Sequence, residues 1–151
     1  MPPEPAGDAS AVDASVVIVG TGFGGIAAAV RLLRQGERDV LLLERAERVG
    51  GTWRDNTYPG CACDVHSHVY QLASAPNPDW SRTFSRQPEI LAYLERVARD
   101  HGVLPRVRFG CTVRGAAWDD AAARWTLDTS RGPFTARVLV LATGPLSEPA
   151  V

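Results

Sequence analysis

The chain has 151 residues, of which 45% are hydrophobic and 22% charged, with a formal net charge of −1. That balance excludes a disordered polypeptide and the basic footprint of a nucleic-acid binder, and the length suffices for one ordinary domain with a real core. All sixteen basic residues are Arg and none is Lys, which removes a Schiff-base lysine and a Walker A phosphate site from consideration.

Met1 to Ala14 is rich in Pro, Ala and acidic residues. It lacks the basic start and apolar core of a secretory signal, so residues 1–14 read as a disordered tail. Three cysteines, an odd number, without such a signal fit a reducing cytoplasm. No run approaches the roughly 18 apolar residues of a membrane span.

Val16 to Val19 is a short β-branched run that suits a buried strand. Gly20, Gly22 and Gly25 follow in G-x-G-x-x-G spacing. From Phe23 the apolar residues take helical period through Ile26, Ala27, Val30 and Leu33, and Gly36 ends the helix. Val40 to Leu43 is a second buried strand, closed by Glu44. A strand, a glycine loop, a helix and an acidic residue ending the next strand make the dinucleotide fingerprint. Gly20 permits the tight turn, Gly22 the approach of a pyrophosphate, and Gly25 the packing of helix on strand. The helix N-terminus favours the phosphates, and Glu44 can accept hydrogen bonds from both ribose hydroxyls. The same carboxylate repels a 2′-phosphate, so the expected occupant is FAD or NAD rather than NADP.

From Glu44 to Pro88 the chain shows little periodicity, and unstructured stretches that long are usually functional. This stretch carries Gly50-Gly51-Thr52-Trp53, Tyr58-Pro59-Gly60, and Cys61 to Tyr70. Trp53 and Tyr70 offer flat faces for a ring. Cys61, Cys63, His66 and His68 raise the alternative of a zinc site, but their spacing is tighter than that of structural zinc sites, and no metal is expected. Cys63 has no base-and-orienter pattern for a nucleophile. Arg82 and Arg86 read as solvated surface charges.

A helix is expected from Pro88, with Ile90, Leu91, Leu94, Val97 and Ala98 on one face and Gly102 at its end. Val107 to Phe109 is a short strand candidate. Cys111 to Trp118, Arg124 to Thr129 and Phe134 to Arg137 read as a small antiparallel meander, with Trp118 and Trp125 packing beside the Asp119-Asp120 turn. Val138 to Leu141 reads as a buried strand, followed by Ala142-Thr143-Gly144. If the sheet is incomplete there, its apolar edge is expected to stand exposed.

These stretches carry a family resemblance. GTGFGG at 20–25, Glu44, GGTW at 50–53, YPGCACD at 58–64, Tyr70, WSRTFSRQPEI at 80–90 and ATGPLSEP at 142–149 resemble the N-terminal part of the flavin-dependent class B monooxygenases, in particular the Baeyer–Villiger type. The resemblance implies an α/β fold: a Rossmann-like FAD-binding domain with a parallel sheet and a small antiparallel meander, truncated, over residues 15–151. It implies FAD here, NADPH as hydride donor, O2 as co-substrate, and a flavin C4a-peroxide that converts a ketone to an ester. It places Gly20, Gly22, Phe23, Gly24 and Gly25 along the pyrophosphate and Glu44 on the adenosine ribose. It sets Thr52, Trp53, Asp64 and Tyr70 near the isoalloxazine ring, and Val113 at the adenine through its backbone. Ala62, Cys63 and Asp64 would border the nicotinamide cofactor, and Arg45, Gly51 and Ala142-Thr143-Gly144 complete the cofactor-binding set. Many members carry an Arg where this chain has Ala62 and an aromatic residue where it has Arg54. The second nucleotide motif and the active-site Arg of that family come later than residue 151, so no catalytic residue is assigned. An N- or S-oxygenating monooxygenase with the same first domain, and a flavin-binding remnant without turnover, remain open alternatives.

Overall fold

The two β-branched runs that flank the glycine loop pair side by side, and the sheet is built outward from them. The structure is a computed structural model that describes residues 12–146. Strand β1 (Val12–Val19) lies parallel to β2 (Val40–Leu43), with Val16 opposite Val40 and Val19 opposite Leu43. Helix α1 (Phe23–Arg34) connects them. It buries Ile26, Val30 and Leu33 of the expected stripe together with Ala29, while Phe23 and Ala27 are only partly buried. Gly36, just past its end, has φ +92°, the left-handed backbone that stops helices at low cost for glycine.

The full sheet has six strands in the order β3-β2-β1-β6-β5-β4. These include β3 (Val107–Arg108), β4 (Val113–Asp119), β5 (Arg124–Thr129) and β6 (Phe134–Leu141). Strands β3, β2, β1 and β6 run parallel, while β4, β5 and β6 form the antiparallel meander. Helix α3 (Gln87–Asp100) packs with α1 on one face, in a core that includes Ile18, Leu42, Ile90, Tyr93 and Leu94. The opposite face is a smaller core of Val17, Leu41, Leu43, Cys111, Leu127 and Phe134. Alternating residues of β1 and β2 thus serve two cores, which is why these strands read as continuous apolar runs.

Several boundaries differ from the sequence reading: among them, the expected Cys111–Trp118 strand runs Val113–Asp119 and the expected Val107–Phe109 strand ends at Arg108. Strand β1 starts at Val12, because Val12 to Ala14 pair with Phe134 to Ala136 of β6; the rest of the expected tail, and the residues after Leu146, lie outside the described part. The segments read as Phe134–Arg137 and Val138–Leu141 are one strand. Its first half is held between β1 and β5, and its second half pairs with β1. Val138 and Leu141 are 50% and 69% exposed, so that second half is not the buried strand its apolar run suggests; its exposed apolar edge matches the expectation for an incomplete sheet. Two short elements carry too little periodicity to be read: helix α2 (Thr52–Asp55) and a 3-10 turn at Leu104–Arg106. In the meander, Trp118 and Trp125 form the expected cross-strand pair, with ring centroids 5.5 Å apart.

Candidate cofactor site

The C-terminal ends of β1, β2 and β6 meet at one edge of the sheet, and the glycine loop lies across it. In an open parallel sheet such an edge is the usual place for a ligand crevice. Gly20 has φ +99°, and its N–H donates to the Leu43 carbonyl at 2.8 Å. A Cβ on Gly20 would stand 2.5 Å from the Ala142 oxygen, and one on Gly25 would stand 1.9 Å from the Gly20 oxygen. These two glycines are therefore required by backbone approach alone. Gly22 caps α1 without a side-chain hydrogen bond, and the first turn of α1 carries no acidic residue. Its N-terminal N–H groups and partial positive charge are thus left to an anion.

Glu44 closes β2 and is 4% exposed. Its Oε2 accepts from the Thr21 N–H at 3.0 Å and the Thr21 hydroxyl at 2.5 Å. Its Oε1 accepts from the Ala46 N–H at 2.9 Å and lies 3.1 Å from Arg54 Nη1. Four donors fix the carboxylate beside the glycine loop, which compensates its burial. Thr21, fully buried inside the fingerprint, and Arg54 are site residues that the sequence reading did not single out as such. Thr21 occupies an unrestricted position of the motif, and Arg54 belongs to the unread helix α2.

Helix α2 docks against the loop from the other side. Gly51, with φ +53°, sits so close to Gly22 that a Cβ on it would be 2.9 Å from the Gly22 Cα, and the Gly50 N–H donates to the Thr21 carbonyl at 2.9 Å. This brings Thr52 and Trp53 to the start of α1. Trp53 is buried and donates through Nε1 to the Tyr70 hydroxyl at 3.0 Å. The Tyr70 ring stands edge-on to Trp53 at 5.6 Å and to Phe23 at 4.9 Å. Burial pushes the Tyr70 phenol above its usual range, against the opposing donation from Trp53. Gln87, another residue unread as part of the site, donates from Nε2 to the Trp53 carbonyl and so joins α3 to α2.

Ala142 packs beside α1, 3.7 Å from where a Gly24 Cβ would stand, and its N–H donates to the Val19 carbonyl; Thr143 and Gly144 follow, exposed. Val113 lies two residues beyond Cys111, whose N–H donates to the Glu44 carbonyl at 2.9 Å. Arg45 is exposed beside Glu44. Cys63 is buried, its N–H donates to the Ser85 carbonyl, and burial pushes its thiol upward. Ala62 and Asp64 are exposed on either side of it. The four zinc candidates do not converge: Cys61 and Cys63 point into the core, His66 packs on Phe84 and His68 is exposed, and no cluster of three metal-ligating residues occurs among the described residues. Arg82 and Arg86 are exposed, as expected.

Residues 18–87 match the family model of the NAD(P)-binding Rossmann-like domain. A Baeyer–Villiger monooxygenase of Streptomyces coelicolor is 58% identical over 136 residues, which are 90% of this chain and 26% of that protein. Among solved structures, oxidised steroid monooxygenase bound to NADP superposes with a TM-score of 0.87 at 41% identity, over 93% of this chain and 28% of that one. OTEMO in complex with FAD and NADP gives a TM-score of 0.84 at 35% identity, over 91% and 27%. The chain therefore matches the N-terminal part of Baeyer–Villiger monooxygenases and spans about a quarter of the length of these relatives.

Proposed function

We propose, from that match and from the geometry of the glycine loop, that this chain is the N-terminal FAD-binding portion of a FAD- and NADPH-dependent Baeyer–Villiger monooxygenase. The observation that carries the reading is the junction of the uncapped α1 N-terminus with the buried carboxylate of Glu44, held by Thr21 inside the loop. An anion-binding helix end and an acceptor for ribose hydroxyls, side by side, fit the two halves of an ADP group.

Gly20, Gly22, Phe23, Gly24 and Gly25 would hold the pyrophosphate, Glu44 the ribose, and the segment around Val113 the adenine. Thr52, Trp53, Asp64 and Tyr70 would lie toward the isoalloxazine ring. When bound, the reduced flavin supplies the activation of O2 needed to insert oxygen beside a ketone carbonyl. This chain's own residues bind and orient. The Trp53–Tyr70–Phe23 cluster gives a rigid apolar wall that keeps water away from one side of the site, and the Tyr70 phenol stays protonated and bonded to Trp53 at neutral pH. Ala62, Cys63 and Asp64 would border the nicotinamide of NADPH.

The substrate would be a small ketone with O2, without nucleic acid. Among the described residues no helix is long and apolar enough to cross a membrane; we place the protein in the cytoplasm on its free, buried cysteines. The test is a visible spectrum of the purified protein, as isolated and after addition of FAD. Flavin bands that stay with the protein through gel filtration are expected. A colourless protein that takes up no added FAD would overturn the reading.

A further inference from the structure

We propose that Arg54 is a positioning residue of the cofactor site, tying helix α2, and with it Trp53, to the carboxylate of Glu44. The inference rests on the FAD reading above and adds a residue that the glycine fingerprint does not contain.

Helix α2 has four residues, too few to be stable by itself. No side chain caps its N-terminus; at its other end Asn56 Nδ2 donates to the Thr52 carbonyl at 2.9 Å. Its placement is therefore set by tertiary ties. Trp53 and Arg54 leave this one turn in different directions. Trp53 goes to Tyr70, and its carbonyl to Gln87 of α3. The Arg54 side chain, 9% exposed, goes to the end of β2.

All three guanidinium nitrogens are used there. Nη1 donates to the Arg48 carbonyl at 2.8 Å and lies 3.1 Å from Glu44 Oε1. Nε and Nη2 fork onto the two oxygens of Asp55 at 2.7 and 2.9 Å. The fork fixes the plane of the guanidinium, and the carboxylate it meets is itself fixed by Thr21 and Ala46. One buried ion pair thus links the ribose end of the site to the helix that carries its ring-facing residues. A change at position 54 would reach the flavin through Glu44 and through Trp53.

The experiment measures FAD affinity and the visible circular dichroism of bound flavin for wild type, Arg54→Met, Arg54→Lys, Glu44→Gln and the double variant Glu44→Gln/Arg54→Met. Loss of a buried charge-assisted bond predicts roughly 10- to 150-fold weaker binding for Arg54→Met, with an altered dichroic band from the flavin. Arg54→Lys keeps the charge but not the fork, and is expected between the two in affinity. In the Glu44→Gln background Arg54→Met should add much less than it costs alone. Should Arg54→Met fail to fold, Arg54→Lys carries the test by the same two readouts. Wild-type affinity and an unchanged dichroic band in Arg54→Lys and in any folded Arg54→Met, or strict additivity in the cycle, would overturn the inference while FAD binding itself stands. A wild-type chain that binds no FAD would overturn both.

Discussion

Replacing Gly25 with alanine tests whether the glycine loop is demanded by packing as well as by a ligand. An added Cβ would stand 1.9 Å from the Gly20 oxygen and 2.9 Å from the Gly20 carbon, both backbone atoms. Real Cβ atoms essentially never come within 3.0 Å of another heavy atom, so α1 would have to retreat by more than an ångström. That retreat would loosen Ile26, Ala29, Val30 and Leu33 from the core. We expect a loss of about 3 kcal/mol or more, at the upper end of overpacking costs. The neighbouring glycine gives the opposite sign. A Cβ on Gly24 would meet only the Ala142 Cβ, at an ordinary 3.7 Å, so Gly24→Ala should be neutral or gain about 0.5–1 kcal/mol from the lower backbone entropy of the unfolded chain. Urea unfolding without added cofactor reads both. With a slope of about 1–3 kcal/mol/M, Gly25→Ala should lower the midpoint by about 1 M or more, and Gly24→Ala should leave it level or raise it. Equal midpoints for Gly25→Ala and wild type, or an equal fall for both variants, would refute the packing argument.

Glu44→Ala should weaken FAD binding by about 1.5–3 kcal/mol through the lost acceptor, whereas Arg82→Ala, on the surface, should leave it within about 0.5 kcal/mol; fluorescence titration of FAD compares them. Burial holds the Cys63 thiol and the Tyr70 and Tyr93 phenols protonated above their ordinary values. The folded state therefore keeps these protons more tightly than the unfolded one, so stability should be level below about pH 8.5 and fall as pH rises through the thiol and then the phenol range; urea midpoints from pH 7 to 11 check it. Tyr93 accepts from the Leu72 N–H at 2.8 Å and donates to the Ala75 carbonyl at 2.9 Å, so Tyr93→Phe should cost about 1–3 kcal/mol at pH 7 while reducing the alkaline fall. Val138→Thr with Leu141→Thr should change stability by no more than about 1 kcal/mol in total, because both side chains are at least half exposed, while light scattering should show less self-association.

The parts legible in the sequence are those in which one residue type answers to one local demand. The run Val40–Leu43 gave a strand with the observed bounds, because a strand buried on both faces is apolar at every position. Helix α1 followed from its 3.6-residue stripe and from Gly36, and the Arg124–Thr129 strand from its alternation and flanking turns. The glycine fingerprint with Glu44 was legible because backbone approach at Gly20 and Gly25 leaves no room for any other residue. What lay beyond local sequence was decided by partners far along the chain. Val12 to Ala14 extend β1 where Phe134 to Ala136 lie beside them, and Val138 and Leu141 stand exposed in the part of β6 that pairs with β1 but not with β5. Helix α2 has no periodicity to read; Gly22, Glu44, Tyr70 and Gln87 hold it from four directions. Arg54 is the sharpest case. In the sequence it is one of sixteen arginines, and only the fold sets its guanidinium 3.1 Å from a buried carboxylate ten positions earlier. Propensity and periodicity act within a few residues, whereas the pairing of a buried charge is settled by whatever opposite charge the completed fold places within reach.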